Sequence, residues 1–290
     1  MEVSEIKKLF KEKFGVLVVS ITDRSRGVDQ KVKIVQTTNG YMVLKIPCSD
    51  KSKIIKEIIG TDLCHKVGVP APQVILAQNK YLVEEYIKGK NLDEINCKKQ
   101  VYANLYKQLG QILRKLHTVR MQGFGPVGRN GKGEFKTERD YIHSWFPREL
   151  KNLKRTTYYS AQQIKQISRF YNEHRNLLDN STPVLLHNDI HDHNIIAKGT
   201  SISGIIDFGD LLAGATMDDF SLMYIDHFGT YKFDKLVEGY GHVRIKEIEF
   251  YVFLRLTWLI ASSLMRKKMC KETSSKLPNR IKRYNELVGL

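Results

Sequence analysis

The chain has 290 residues, of which 42% are hydrophobic and 27% are charged. These values are typical of a globular protein with a sizeable core, and the length favours two lobes. No apolar run reads as long enough to cross a bilayer, and the start of the chain has no signal-peptide pattern, so we expect a cytoplasmic protein with no membrane partner. The four cysteines lack C-x-x-C spacing, which agrees with reduced thiols.

The formal net charge of +16 raises the question of a nucleic-acid partner. The lysines and arginines are spread along the chain, however, in clusters as short as Arg266-Lys267-Lys268. No basic stretch carries the aromatic residues of known RNA-binding motifs. We therefore interpret the charge as a lysine-rich solvated surface and expect no nucleic-acid partner. The oligomeric state is left open.

The N-terminal third is predicted to be strand-rich. A helix begins near Ser4 and ends at Gly15, and Asn39-Gly40 predicts a hairpin between two strands. A helix that contains Glu57 follows the third strand, and the Pro70-Ala71-Pro72 segment ends it. The predicted strands cover residues 16–21, 31–35, 41–46, 74–77 and 81–86.

From residue 92 onward the apolar residues follow helical spacing. Residues 123–133 form a Gly-rich loop, and the segment 245–265 is apolar on more than one face, which predicts a core helix. We therefore predict an N-terminal lobe at 1–86 and a mostly helical C-terminal lobe at 87–290. The predicted helices of the second lobe cover residues 102–116, 160–178, 217–228 and 245–265.

The most informative segment covers residues 184–210, which read VLLHNDIHDHNIIAKGTSISGIIDFGD. A short apolar run leads into a polar loop that contains His187, Asp189 and Asn194. Two β-branched runs follow, and the polar residues between them predict a hairpin. Because a hairpin returns the chain to its start, we expect Asp207 to lie beside the loop that carries Asp189 and Asn194.

This order of residues suits phosphoryl transfer from a nucleotide. One carboxylate positions or deprotonates the attacking hydroxyl group, while an Asn and a second carboxylate hold Mg²⁺ against the phosphates. Asn194 follows Asp189 by five residues, as in a protein-kinase catalytic loop, and Asp207-Phe208-Gly209 comes after them. We predict Asp189 as the catalytic residue and Asn194 and Asp207 as Mg²⁺ ligands.

Other segments match further parts of a nucleotide site. Lys45 on the third strand and Glu57 on the next helix have the order of a phosphate-binding lysine and the glutamate that pairs with it. Gly27, in the turn between two strands, is a candidate for backbone contact with the phosphates. The segment 83–87 would pass behind the adenine, with Glu85 and Ile87 as backbone contacts.

Together these segments resemble the aminoglycoside phosphotransferase family, whose relatives include choline, homoserine and fructosamine kinases. The resemblance covers nearly the whole chain. It implies an α+β, bilobal, protein-kinase-like fold, with a small antiparallel-sheet N-terminal lobe carrying one helix and a larger, mostly helical C-terminal lobe. It also implies Mg²⁺ as cofactor, ATP or GTP as phosphoryl donor and Asp189 as the base. The matching segments are 27–32, 41–45, Glu57, 69–72, 81–89, Leu116-His117, 123–125 and 187–210.

The resemblance is closest to bacterial aminoglycoside kinases, so we expect a small, hydroxylated, cationic acceptor, first of all an aminoglycoside, and a role in antibiotic resistance. Three features depart from the family. Gly27 and Gln30 stand where members often carry Gly-Gly and Asn in the phosphate loop. Asn188 stands where members commonly have Gly, and the chain is basic where the antibiotic kinases tend to be acidic. Carboxylates near the catalytic segment are candidates to bind ammonium groups of the acceptor, although the pair at 218 and 219 could instead cap a helix. These carboxylates are Asp192, Asp210, Asp218, Asp219 and Asp226.

Other functions stay open. A metabolic kinase for choline or ethanolamine, homoserine or fructosamine would keep the same mechanism, and a non-catalytic kinase-like scaffold would bind nucleotide without turnover. The His and Asp residues between 187 and 193 could belong to a zinc hydrolase. That alternative leaves Lys45, Glu57 and Asp207 unexplained. A protein kinase is disfavoured because no Ala-Pro-Glu segment follows Asp207.

Overall fold

The described residues fall into two compact units. The first contains Met1–Asn96 and Asp192–Leu211, and the second contains Cys97–His191 and Leu212–Leu290. This grouping by contacts does not show which segments fold independently, so the lobe division at 86 and 87 stays a prediction. The computed structural model describes these residues, with the backbone alone for 271–274: 1–24, 30–48, 50–265 and 271–290.

Strands and helices alternate along the chain. In chain order the strands are β1 (Val18–Asp23), β2 (Gln30–Thr37), β3 (Gly40–Pro47), β4 (Val74–Gln78), β5 (Tyr81–Glu85), β6 (Lys90–Asn91), β7 (Phe124–Val127), β8 (Gly133–Phe135), β9 (Val184–Leu186), β10 (Ile195–Lys198), β11 (Ser201–Ile205) and β12 (Leu212–Gly214). The helices are α1 (Val3–Phe14), α2 (Ser52–Lys66), α3 (Lys99–Leu116), α4 (Glu138–Arg155), α5 (Ala161–His174), α6 (Phe220–His227), α7 (Tyr231–Tyr240), α8 (Ile245–Met265) and α9 (Lys271–Val288). The first unit holds α1, α2, β1 to β6, β10 and β11, and the second holds the other elements named here.

The first unit is built on an antiparallel sheet with the strand order β1-β2-β3-β5-β4. Thr37 pairs with Gly40, so a two-residue turn joins β2 to β3, and the predicted hairpin is confirmed. The apolar face of α1 packs on this sheet, with Phe10 in the same buried cluster as Leu44. Gly15 ends α1 as predicted, in the left-handed conformation (φ 66°) that glycine adopts without strain.

Helix α2 follows β3 and turns a glutamate toward the core of the first unit. Asp50 Oδ1 accepts a hydrogen bond from the Ser52 N–H group (2.8 Å), which orders the start of the helix. The buried residues of α2 include Ile54 and Cys64, but also Glu57, which is 1% exposed. A buried carboxylate is costly unless it is paired, so Glu57 requires a partner.

The predicted hairpin after the polar loop is present as β10 and β11. Ile195 pairs with Ile205, and Gly199 makes the turn with a positive φ of 63°. Strand β6 extends this small sheet, and the Asn91 side chain donates a hydrogen bond to the backbone oxygen of His193. The start of β10 is therefore held from two sides within the first unit.

Helix α8 forms the core of the second unit with the bounds predicted from the sequence. Its Phe253 ring lies nearly parallel to that of Tyr284 in α9, with centroids 5.6 Å apart. By length and composition α8 could span a membrane, which corrects the expectation that no apolar run is long enough. Because 61% of its most apolar window is buried in the structure, α8 behaves as a core helix.

A sheet in the order β8-β7-β12-β9 positions the polar residues of the second unit. Strand β9 is fully buried and ends at Leu186, directly before His187. Leu186 pairs with Leu212, and β12 leads into a 3-10 turn at Thr216–Asp219. The loop after β9 and the turn after β12 thus belong to one packed region.

The sequence analysis did not predict α4, α7 or α9. Proline is unfavourable inside a helix, yet α4 continues through Pro147. Thr137 begins α4 in the usual way, since its Oγ1 accepts a hydrogen bond from the Asp140 N–H group (3.1 Å). The predicted helix at 217–228 is real but begins at Phe220.

Candidate active site

The first unit contains a buried group of charges that we call the lysine cluster, consisting of Lys45, Glu57, Glu84 and Asp207. Lys45 Nζ lies 2.6 Å from Glu57 Oε1 and 3.1 Å from Glu84 Oε1. The side chains of these three residues are at most 3% exposed. The contact between Lys45 and Glu57 that the sequence suggested is thus present, and Glu84 joins it from the neighbouring strand β5.

The lysine cluster holds three carboxyl groups and one ammonium group. Burial lowers the pKa of Lys45, but the carboxylates of Glu57, Glu84 and Asp207 outweigh burial and raise it above its ordinary value. Burial raises the pKa of both glutamates, and Lys45 opposes this rise only in part. Glu84 Oε2 is buried and has no hydrogen-bond partner among the described residues. The cluster can therefore accept a further cation.

Glu57 also connects the lysine cluster to the segment of Asp207. Its Oε2 accepts a hydrogen bond from the Phe208 N–H group (3.0 Å). Phe208 packs so closely on α2 that a Cβ atom at Gly60 would lie 2.7 Å from Phe208 Cβ, so only glycine fits there. Asp207 itself has φ 71° and ψ 67°, a left-handed conformation that is uncommon outside glycine and concentrates at functional sites.

Asn194 lies next to the Asp207 segment in the first unit. It is 3% exposed, and its backbone oxygen accepts a hydrogen bond from the Ile206 N–H group (2.9 Å). Asparagine and aspartate supply the oxygen ligands that Mg²⁺ prefers, and Mg²⁺ in nucleotide sites takes only one or two carboxylates beside phosphate oxygens. The oxygen donors of Asn194 and Asp207, beside a cluster with more carboxyl groups than cations, therefore fit Mg²⁺. In the described ranges no group of three or more His, Cys, Asp or Glu side chains could hold a metal.

The other predicted nucleotide contacts lie in different surroundings. Gly27 lies outside the described residues. Glu85 is exposed at the end of β5, and its N–H group donates to the Gln73 backbone oxygen (2.9 Å). The Ile87 side chain packs at Gly204, where an added Cβ would lie 3.3 Å from it. The roles of all three in nucleotide binding stay predictions.

Asp189 belongs to the second unit, where the residues before it are held by Asp219. The backbone N–H groups of His187 and Asn188 donate to Asp219 Oδ2 (2.9 Å) and Oδ1 (2.6 Å). His117 Nε2 donates to Asp219 Oδ2 at 3.1 Å. Burial raises the pKa of Asp219, but hydrogen bonds from His117 and Asn188 outweigh burial and lower it below its ordinary value. Asp219 is thus an ionised anchor for the loop.

His117 extends this anchor to α7. Because its Nε2 donates to an ionised carboxylate, its Nδ1 is free to accept, and the Tyr240 hydroxyl lies 2.9 Å from it. His117 is 6% exposed. The end of α3, the end of α7 and the turn before α6 are therefore joined through one buried imidazole.

The Asp189 side chain contacts a second histidine. His191 Nε2 lies 3.3 Å from Asp189 Oδ1, and His191 Nδ1 lies 3.4 Å from Asp226 Oδ2. Burial lowers the pKa of His191, but hydrogen bonds to Asp189 and Asp226 raise it to about 9. His191 is therefore protonated at neutral pH and donates to both carboxylates. These contacts of His191 were not predicted from the sequence.

Several of the predicted acceptor-binding carboxylates already have cationic partners. Asp218 Oδ1 lies 3.1 Å from Arg255 Nη2, and Asp210 Oδ1 lies 3.2 Å from Lys53 Nζ. Asp219 contacts no backbone group of α6 with its side chain, so the capping alternative is wrong for it. Asp192 begins a short 3-10 turn in the first unit. Binding of an acceptor by these carboxylates stays a prediction.

Two residues of these networks were missed from the sequence, Glu84 and Arg255. Glu84 stands beside Glu85, and the sequence could not show which of the two faces Lys45. Arg255 gave a usable signal, because it is a charged residue in the apolar middle of α8. Such a residue predicts a buried partner.

Comparisons with known proteins identify the family and the fold of the chain. Residues 20–251 match the family described as "Phosphotransferase enzyme family". A search of curated proteins finds no match. The chain is similar to the crystal structure of aminoglycoside phosphotransferase APH(4)-Ia, with a TM-score of 0.76, 14% identity and coverage of 99% of both chains. It is also similar to ADP-bound APH(2'')-Ib, with a TM-score of 0.70, 18% identity and coverage of 99% of this chain and 97% of that one.

A further similar structure is a putative fructosamine-3-kinase from Thermobifida fusca YX-ER1, with a TM-score of 0.71, 14% identity and coverage of 98% of this chain and 100% of that one. At 14–18% identity these structures establish the fold, and they confirm the predicted α+β, protein-kinase-like class. The family match covers well over half of the sequence. The chain belongs to the phosphotransferase enzyme family, and the predicted enzyme class is confirmed.

Proposed function

We propose that the protein is a Mg²⁺-dependent O-phosphotransferase that moves the γ-phosphoryl group of ATP or GTP to a hydroxyl group of a small cationic molecule, with an aminoglycoside as the first candidate. The observation that carries the proposal is the lysine cluster. The bonds from Glu57 to Lys45 and to the Phe208 N–H group join three segments that nucleotide chemistry requires. Surface ion pairs do not need such burial, so a structural role alone explains the cluster poorly.

The residues of the first unit take the nucleotide roles in this proposal. Lys45 stays charged between its glutamates and contacts the α- and β-phosphates. Asn194 and Asp207 hold Mg²⁺, which when bound neutralises charge on the β- and γ-phosphate oxygens. Gly27 contacts the phosphates, and the segment of Glu85 and Ile87 contacts the adenine.

Asp189 takes the role of the base. Its carboxylate accepts a hydrogen bond from the acceptor hydroxyl and orients the oxygen toward the γ-phosphorus. As the new P–O bond forms and the bond to the β-phosphate oxygen breaks, the hydroxyl proton passes to Asp189 and the nucleoside diphosphate leaves. The contact with His191 holds Asp189 Oδ1 and so orients the carboxylate that acts as the base.

Relatives of known fold support ATP and an aminoglycoside. One solved structure of APH(4)-Ia is a ternary complex with AMP-PNP and hygromycin B, and one of APH(2'')-IIa is a complex with streptomycin and ATP. An aminoglycoside carries several ammonium groups, and carboxylates near the base bind such groups well. Asp192, Asp210, Asp218 and Asp219 are the proposed carboxylates.

A metabolic kinase is the second candidate function. It is favoured by the partners of the same carboxylates, because Lys53 and Arg255 already neutralise Asp210 and Asp218. The net charge of +16 also disfavours a polycationic acceptor. A fructosamine-type acceptor carries fewer positive charges than an aminoglycoside, and a putative fructosamine-3-kinase shares the fold.

The test measures nucleoside-diphosphate release from ATP and from GTP with Mg²⁺, for the wild type and Asp189→Asn. The acceptors are several aminoglycosides, a fructosamine, choline, ethanolamine and homoserine. We expect Asp189→Asn to lower turnover by about 10²–10⁴-fold, the usual contribution of a general base. Nucleotide affinity should stay within a few fold, because the proposed nucleotide residues lie in the first unit.

Asp62→Asn is the matched control, since Asp62 forms an exposed ion pair with Lys66 (2.6 Å) on α2. It should turn over like the wild type. Wild-type activity in Asp189→Asn would refute the mechanism. Turnover of a metabolite alone would keep the mechanism and select the second candidate, and nucleotide binding without any turnover would favour a non-catalytic scaffold.

A cytoplasmic location is part of the proposal. Cys48, Cys64 and Cys97 carry free thiols, as expected in a reducing compartment. Recovery of the protein in the membrane fraction after cell lysis would contradict this location.

A further inference from the structure

Asn188, the residue before Asp189, has an unusual backbone conformation. Its φ of 66° lies in the left-handed region, which most residues with a side chain avoid and which Asn adopts more readily than most. Glycine would adopt this conformation without strain. Contacts around Asn188 therefore help to select this conformation.

Arg255 of α8 supplies those contacts. Its Nη1 donates to the Asn188 backbone oxygen (3.1 Å), and its Nη2 donates to Asn188 Oδ1 (2.5 Å). The N–H group of Asn188 is held in turn by Asp219 Oδ1 (2.6 Å). Both oxygens and the backbone N–H group of Asn188 are thus bound. Only a planar guanidinium presents two parallel donors in this way, so lysine could not form the same pair of hydrogen bonds.

The guanidinium is itself held firmly. Arg255 Nη2 donates to Asp218 Oδ1 at 3.1 Å, and both side chains are at most 14% exposed. Burial lowers the pKa of Arg255, but Asp218 and Asp189 act on it electrostatically and raise the pKa above its ordinary value. Arg255 projects from α8, whose neighbouring residues Leu254 and Leu256 are buried in the core of the second unit. The contact therefore ties the loop to a buried core helix of that unit.

We propose that Arg255 is a positioning residue for phosphoryl transfer: by binding both oxygens of Asn188, it fixes the peptide that carries Asp189. This inference rests on the proposed function, in which Asp189 orients the acceptor hydroxyl. A displacement of about 1 Å at such a group costs about 10²-fold in rate. The role is distinct from that of His191, which contacts the Asp189 side chain rather than the backbone before it.

The test compares Arg255→Lys, Asn188→Gly and the double variant with the wild type. Lysine keeps a positive charge near Asp218, so the protein should fold. The variant lacks the two parallel donors of the guanidinium group. We expect Arg255→Lys to lower kcat by about 10–100-fold, with the KM for the nucleotide within about threefold. Arg169→Lys is the matched control, because Arg169 is 80% exposed and pairs only along its own helix with Glu173.

The double variant separates positioning from general destabilisation. If Arg255 acts through Asn188, its replacement should cost less in the Asn188→Gly background than in the wild type, since glycine removes one of the two contacts between these residues. Equal costs in both backgrounds would overturn the proposal. A loss of kcat accompanied by an equal loss of nucleotide affinity and a large fall in Tm would show a structural role and would also overturn it.

A second measurement does not depend on catalysis. NMR hydrogen exchange of the full chain without ligand should show faster exchange at the Asn188 and Asp189 amides in Arg255→Lys, with the core amides of α8 unchanged. Unchanged exchange at both amides would refute the inference even if no acceptor were found. Turnover that survives Asp189→Asn would instead refute the proposed base, whatever the exchange shows at these amides.

Discussion

The lysine cluster of the first unit and Asp219 of the second show opposite pKa shifts at buried carboxylates. In the lysine cluster, Lys45 faces three carboxylates, and the pKa of Glu57 and of Glu84 is raised by burial. In the second unit, Asp219 is equally buried, but backbone N–H groups and His117 lower its pKa. The difference lies in the hydrogen-bond donors. In the lysine cluster one ammonium group faces three carboxyl groups, while Asp219 accepts hydrogen bonds from His117 and two backbone N–H groups. A cluster with more carboxyl groups than cations favours a bound cation, and a carboxylate whose hydrogen bonds are made favours a rigid loop.

The strongest test of this comparison removes charge from the first unit. Asp207→Asn should lower turnover by about 10³-fold, since a lost metal contact costs several kcal/mol. It should also weaken the dependence of nucleotide affinity on Mg²⁺, measured by calorimetry with the metal and with EDTA. Its urea midpoint should stay near that of the wild type or rise, because the substitution relieves repulsion.

The control for this variant is Asp62→Asn, at an exposed position of the same unit. If Asp207→Asn keeps the wild-type dependence of nucleotide affinity on Mg²⁺, Asp207 is no metal ligand. If it unfolds the protein, the lysine cluster is a stabilising structure and the contrast between the units fails.

The second test removes the satisfied carboxylate. Asp219→Ala leaves the N–H groups of His187 and Asn188 and the His117 ring without their acceptor. We expect the free energy of unfolding to fall by about 3–5 kcal/mol, as when one partner of a buried charged pair is lost. Urea denaturation with Asp62→Ala as the exposed control measures the fall, and a loss below about 1 kcal/mol would show that water replaces the carboxylate.

Much of the fold follows from local pattern. The hairpin of β2 and β3 and that of β10 and β11 were predicted because alternating apolar residues flank turn residues over a few positions. Helix α8 was predicted with its observed bounds because its apolar residues cover several faces. By contrast, α4 was not predicted, and it contains Pro147, which is locally unfavourable to a helix and requires compensation by packing.

The site residues divide along the same line. The spacing of Asp189, Asn194 and Asp207 is a local pattern that can be read directly from the sequence. Glu84 could not be distinguished from Glu85, because three consecutive residues of β5 are buried and the strand shows no alternation there. Arg255 contacts Asn188 across 67 residues of sequence, and only the tertiary structure brings them together.

The smallest expected effect concerns Glu138. It tests whether the pKa of a buried carboxylate depends on its own hydrogen-bond donors or on the unit in which it lies. Glu138 is buried in the second unit, and burial raises its pKa to about 7, although the Ala215 N–H group and other donors oppose the rise. No cation contacts it in the described part of the chain. It should therefore behave like the glutamates of the lysine cluster and unlike Asp219.

A raised pKa means that the folded state binds more protons than the unfolded state between pH 4.5 and about 7. The stability that Glu138 contributes should then fall by about 1–3 kcal/mol as pH rises through this window and stay level above it. Glu138→Gln should remove that slope, while Glu134→Gln, at an exposed position of β8, should retain it. Equal slopes in Glu138→Gln and the wild type would show that Glu138 is ionised when buried. In that case buried carboxylates of the second unit would be ionised whether or not they have the hydrogen-bond donors that Asp219 has.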